Sequence, residues 1–139
     1  HDRLAFEFDG VSETMRKLKD AGYKMGIVSP KRNDMIYKGL KLLDVEGVFD
    51  VLIGMADVGK TKPYPEPSLL ALNRLDAMRT KALMSGDNYH DIVGGQNAGV
   101  HTAAVAWSAK VEAFLQTYHP DYMLHHISDL LAIVNGEGN

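Results

Sequence analysis

A parallel sheet with helices on both faces, an α/β fold in three layers, is predicted by three observations along the chain. Short apolar runs alternate with amphipathic stretches from one end to the other. Glycine, proline and Asn/Asp turn signals fall between them. Polar and charged residues gather just after the apolar runs, on the rim where open α/β sheets bind ligands.

The elements follow in order. From Gly10 to Ala21 the spacing sets Val11, Met15, Leu18 and Ala21 on one helical face, with charges on the other, and Gly22 ends the helix. Tyr23 to Val28 is an apolar strand. Asp34 to Leu43 is a helix with Met35, Ile36, Leu40 and Leu43 inward, and Phe49 to Ile53 a short strand. Pro67 to Leu75 continues as a helix through Leu69, Leu70 and Leu72. Lys81 to Met84 has strand length, and Asp91 to Gly99 reads as a helix closed by Gly99. Thr102 to Ala106 is a strand, Lys110 to Tyr118 a helix, and Tyr122-Met123-Leu124 an edge strand. Ser128 caps a last helix through Val134, and the tail 136–139 is expected to be loose.

With 139 residues, 45% of them apolar, and no Ser/Gly-rich linker, residues 1–139 are expected to form one domain. A net charge of −3 offers no argument for nucleic acid. The absence of cysteine excludes disulfides and thiol catalysis and fits a cytoplasmic setting. No apolar run approaches membrane-spanning length. His119, His101 and the pair His125-His126 lack the spacing of metal ligands and are assigned structural or surface roles.

Three segments carry chemistry. In Met84-Ser85-Gly86-Asp87-Asn88-Tyr89-His90-Asp91, Asp87 sits at a strand's carboxyl end and Asp91 can return to the same side from the first helical turn. Two hard oxygen ligands suit Mg²⁺, which takes one or two protein carboxylates and fills its other positions with water and phosphate oxygens. A helix cap is the plainer reading of Asp87. Ser29, after Val28, delivers a hydroxyl to a strand's end just before a helix, where unpaired N–H groups favour an anion; capping, with Pro30 at the first helical position, is again the plainer role. In Gly59-Lys60-Thr61-Lys62-Pro63-Tyr64-Pro65-Glu66-Pro67 the prolines stiffen the loop around Lys62, a point charge suited to phosphate.

Taken in order, Gly26-Ile27-Val28-Ser29, Lys62-Pro63-Tyr64-Pro65-Glu66-Pro67 and Gly86-Asp87-Asn88-Tyr89-His90-Asp91 with Ala98-Gly99 resemble the second, third and fourth motifs of the haloacid dehalogenase-like hydrolases. Gly86 to Trp107, and His119 to Leu124 through Ser128 to Leu131, are most similar to the phosphoglycolate phosphatase branch and its PpaX-type pyrophosphatases. The likeness covers essentially the whole chain but only the second half or so of a family member. It implies a Rossmann-like core without the family's mobile cap domain. Ser29 would hydrogen-bond the phosphoryl group, Lys62 would neutralise charge on it, and Asp87 and Asp91 would hold Mg²⁺.

The family's first motif, Asp-x-Asp-Gly-Thr or Val, supplies the attacking aspartate and an acid/base aspartate on a central strand, and it is absent here. Phe6-Glu7-Phe8-Asp9-Gly10-Val11 comes nearest, with Glu7 in the nucleophile's place. It is read as a decoy, because Gly10-Val11-Ser12-Glu13 matches the family's opening of the helix before the second-motif strand. The chain begins with His, and is expected to be a fragment, a processed product or a coding sequence cut from a longer one. A lost central strand leaves the Val28 and Met84 strands with unpaired inner edges. These strands could pair directly, another chain could fill the slot, or Leu4 to Phe8 could occupy it.

The resemblance therefore implies the core portion of a Mg²⁺-dependent phosphohydrolase acting through an aspartyl-phosphate on pyrophosphate or a phosphoglycolate-type monoester. The isolated chain is expected to be inactive for want of the nucleophile. The alternative is a non-catalytic Mg²⁺- and phosphate-binding or assembly module derived from that fold. A homo-oligomer, or an N-terminal segment supplied in trans, is the expected macromolecular partner.

Overall fold

The computed structural model describes residues 10–59 and 64–137. Lys62, Asp9 and Leu4 to Phe8 lie outside the described residues, and so do the last two residues of the predicted loose tail.

Helix α1 (Val11–Asp20) carries a Glu13–Lys17 ion pair of 3.0 Å along one face and buries Thr14 and Leu18. It closes where Gly22 adopts a φ of 91° and the Tyr23 amide donates to Leu18 O at 3.2 Å. That bond shortens the strand predicted from Tyr23. The Met25 amide is likewise taken by Asp50 Oδ2 at 2.8 Å, so pairing starts only at β1 (Gly26–Val28).

The chain continues through α2 (Asn33–Leu42), β2 (Val51–Ile53) and α3 (Glu66–Leu75). Next come β3 (Leu83–Gly86), α4 (Tyr89–Ala98) and β4 (His101–Val105). Then follow α5 (Ala109–Gln116), β5 (Tyr122–Leu124) and α6 (Asp129–Ala132). Gly99 ends α4 at a φ of 80°, as its sequence position predicts. Ile36 and Leu40 of α2 point inward, whereas Met35, predicted inward, stands exposed, as does Leu69 of α3.

Every strand pair is parallel, but the described strands form two sheets, β1-β2 and β3-β4-β5. Direct pairing of the Val28 and Met84 strands, one of the three predicted ways to close the sheet, is therefore corrected: β1 and β3 share no ladder. Helix α3 packs on β1 and β2 and also against α4, which covers β3 and β4, so helices join what the sheet does not. Met15 of α1 reinforces the join by touching both the Leu18-Ile36-Leu40 cluster and the Ala103-Leu124-Leu130 cluster.

Two predicted end features differ. Ser128 precedes α6 but makes no side-chain cap; its hydroxyl is engaged with His126 Nδ1 at 2.7 Å. The expected loose tail is corrected as far as 137, because a π-helical turn spans Ile133–Glu137. The Tyr23 hydroxyl anchors its start by donating to Val134 O at 2.6 Å.

Candidate functional site

At the end of β3 the backbone leaves the ladder at Gly86 and enters α4 through Asp87 and Asn88. Asn88, not Asp87, caps the helix: its Oδ1 accepts the His90 amide at 2.8 Å. The plainer reading of Asp87 as a cap is thereby excluded. Asp91, in the first turn of α4, folds back over β3. A Cβ added to Gly86 would stand 2.2 Å from Asp91 Oδ2, so glycine is required for the carboxylate to lie against the backbone just before Asp87. The positive end of α4 favours a carboxylate there. Asp87 and Asp91 are thus brought to one lip of the sheet, both half-buried.

No group of three or more His, Asp or Glu side chains able to hold a metal occurs among the described residues. A pair of carboxylates at a strand end matches the donor set of Mg²⁺, which draws its remaining oxygens from solvent and ligand. The residues fit that ion.

Ser29 follows β1. Its amide donates to Ile53 O at 3.0 Å, extending the pairing with β2 by one bond. Its Oγ accepts the Lys31 amide at 3.2 Å and retains its own proton to donate. Helix α2 begins only at Asn33, after Arg32, so Ser29 does not cap it and Pro30 is not its first residue, contrary to the plainer sequence reading.

A brace that sequence reasoning missed holds this loop. Asp57 Oδ2 accepts the Gly54 amide at 2.7 Å and the Asn33 side-chain amide at 2.9 Å. Asn33 lies so close over Gly54 that a Cβ there would meet its Oδ1 at 2.1 Å. The Gly54 amide first, and Asn33 second, hold the Asp57 carboxyl below its ordinary range. Glycine directly after a strand, with an acid three positions on, was the available signal.

A cavity of about 300 Å³ opens beside Asp87, between the β3–α4 and β4–α5 connections. Trp107 and Phe114 form its walls with their faces half exposed, Tyr89 forms its floor, and Lys110 on the first turn of α5 reaches it. Tyr89 is itself fixed by stacking on Tyr118 at 5.3 Å and by the edge of Phe114 at 6.2 Å. Lys110 had no signal in the sequence, because its place depends on how α5 docks. His90 turns inward with Nδ1 buried and unpartnered, its ring 3.9 Å from that of Tyr89. His125 Nε2 donates to Glu112 Oε1 at 2.9 Å on the surface.

Comparison with known proteins adds a consistent set of likenesses. Residues 1–105 match the model of the haloacid dehalogenase-like hydrolases. The pyrophosphatase PpaX of Bacillus anthracis is 52% identical over 97% of the chain, and that of Bacillus cereus 51% identical over the same share. The chain spans 62% of the length of each. Among solved structures, one from Bacteroides fragilis described as a haloacid dehalogenase-like hydrolase superposes with a TM-score of 0.82 at 32% identity, over 88% of this chain and 59% of that one. YfnB from Bacillus subtilis, described as bound to magnesium, superposes with a TM-score of 0.80 at 24% identity, over 92% of this chain and 55% of that one. The likeness to YfnB bears on the fold.

Proposed function

Because the chain belongs to the haloacid dehalogenase-like hydrolases, we propose that it forms the metal- and phosphate-binding part of a Mg²⁺-dependent phosphohydrolase for pyrophosphate or a small phosphomonoester, in a cytoplasmic setting. The observation that carries this reading is the return of Asp91 over Gly86, the residue before Asp87 at the strand end.

Asp87 and Asp91 would hold Mg²⁺ at the rim. When bound, Mg²⁺ supplies positive charge to the phosphoryl oxygens. Ser29 donates its hydroxyl proton to a phosphoryl oxygen, and its position is held by the pairing with Ile53 and by the Asn33-Gly54-Asp57 brace. Lys62 adds the second positive charge. The attacking carboxylate is supplied by residues outside this chain, from a segment seated between β1 and β3, and it carries the phosphoryl group as an aspartyl-phosphate. The split between the two described sheets supports that placement. The same split also favours a second reading, in which the chain binds Mg²⁺ and phosphate as an assembly module without turnover.

The 139-residue chain, assayed with Mg²⁺ at neutral pH, is expected to hydrolyse neither pyrophosphate nor para-nitrophenyl phosphate, yet to bind Mg²⁺ and orthophosphate by calorimetry. Asp87→Asn should weaken the metal about tenfold or more. Turnover that disappears in Asp9→Asn would overturn the expected inactivity and revive Leu4 to Phe8 as the substitute for the first strand.

A further inference from the structure

The loop after β1 carries the Ser29 hydroxyl, and hydrogen bonds sew it to the turn after β2. The Ser29 amide donates to Ile53 O at 3.0 Å, and the Met55 amide donates to Lys31 O at 2.9 Å. The Asn33 side-chain amide closes the seam on Asp57 Oδ2 at 2.9 Å, beside the Gly54 amide at 2.7 Å. Lys31 is the link to the hydroxyl. Met55 holds its carbonyl, and its own amide donates to Ser29 Oγ at 3.2 Å. A hydroxyl oxygen engaged in this way has its direction set, while its proton is left to donate.

Asp57 stands at the far end of this chain of contacts. Its side chain is only 21% exposed, with Arg74 Nη1 of α3 3.8 Å from Oδ1. Gly54 is buried and Asn33 half-buried, so removal of the carboxylate leaves two N–H groups shielded from water without an acceptor. Met55 opens the 3₁₀ turn that Asp57 ends (Met55–Asp57), and a shift of that turn is passed to Lys31 O and on to Ser29 Oγ. We propose that Asp57 is a positioning residue for phosphate, which touches no ligand itself and sets the direction of the Ser29 hydroxyl through Gly54, Met55 and Lys31. This rests on the phosphohydrolase reading and deepens it by dividing control of the site. Asp87 and Asp91 stand on the β3–α4 connection, at the other sheet, so the seam governs phosphate and not the metal.

The test is calorimetry on the 139-residue chain, with Mg²⁺ alone and then with orthophosphate in Mg²⁺. Asp57→Ala should weaken orthophosphate about tenfold and leave Mg²⁺ within about twofold. Asp57→Asn, whose amide oxygen accepts the same two N–H groups, should recover most of the loss. Asn33→Ala removes one bond of the seam and should weaken orthophosphate about threefold, and it serves in place of Asp57→Ala if that variant does not fold. In a Ser29→Ala background the same substitutions should cost less than about twofold more, because the group they position is gone. A loss that persists in full in Ser29→Ala, or that extends equally to Mg²⁺, shows a seam that serves the fold alone and overturns the proposal. Orthophosphate affinity unchanged in both Asp57→Ala and Asn33→Ala also overturns it and leaves the phosphohydrolase reading standing. A wild-type chain that binds no orthophosphate in Mg²⁺ removes that reading, and this proposal with it.

Discussion

The two sheets are held by different means. In the three-stranded sheet, β4 is flanked on both sides, and Thr102, Ala103 and Ala104 are 0% exposed, Ala104 packed with Ile92 of α4 and Leu115 of α5, and Ala103 with Leu130 of α6. Small side chains suffice because both faces are covered. In the two-stranded sheet the strands are three residues long, and polar struts do much of the holding. Asp50 takes the Met25 amide and Lys19, and Asp57 takes the Gly54 amide and Asn33. Between the sheets, β1 and β3 present their least buried positions, and no residue of β3 is fully buried. Burial rises away from the split, which teaches that the firmest part of the described core lies around β4.

The comparison breaks most visibly under a buried charge. Ala104→Asp should cost ~4 kcal/mol in urea unfolding, because the new carboxylate has no partner and no water, whereas Ser85→Asp in half-buried β3 should cost much less. Equal losses would mean that the two strands are equally enclosed. Next comes a pair of glycines. Gly86→Ala must displace Asp91, and should lower Mg²⁺ affinity about tenfold or more while the far-ultraviolet spectrum holds. Gly26→Ala, whose new Cβ would meet Leu75 Cδ1 at 3.4 Å, should leave metal binding unchanged.

The smallest effect is one of pH. Both struts hold their carboxyls below the ordinary range, Asp50 chiefly through the Met25 amide and Asp57 chiefly through the Gly54 amide. A lowered folded value means stability that is fully present above the unfolded value, about 4, and lost as pH falls through the folded one. Hydrogen exchange below pH 4 should therefore show β1 and β2 losing protection before β4. Asp50→Asn should flatten that dependence, and a loss that begins in β4 would contradict the division.

Much of this was legible in residue order. Gly99 fixed the end of α4, the alternation fixed the order of strands and helices, and Asp87 with Asp91 marked the rim because their spacing is local. The rest depended on long-range partners. Tyr23 to Met25 looked like strand, but their amides belong to Leu18 and Asp50. Ser29 and Ser128 looked like caps, and neither hydroxyl serves a helix start. Leu69 followed the helical period into the exposed side of α3. Lys110 was invisible as a site residue, since only the docking of α5 beside the β3–α4 turn gives it an address.

One missing methyl group has a consequence for how such a site can change over generations. Gly86 acts as a spacer of zero width: it sets how closely the Asp91 carboxylate lies against the backbone beside Asp87 while contributing no charge, donor or acceptor beyond its backbone. Any bulkier residue would widen the grip between the two acids without altering either one. An inventory of conserved acids would count such a descendant as intact, although the proposed hold on a cation had been lost.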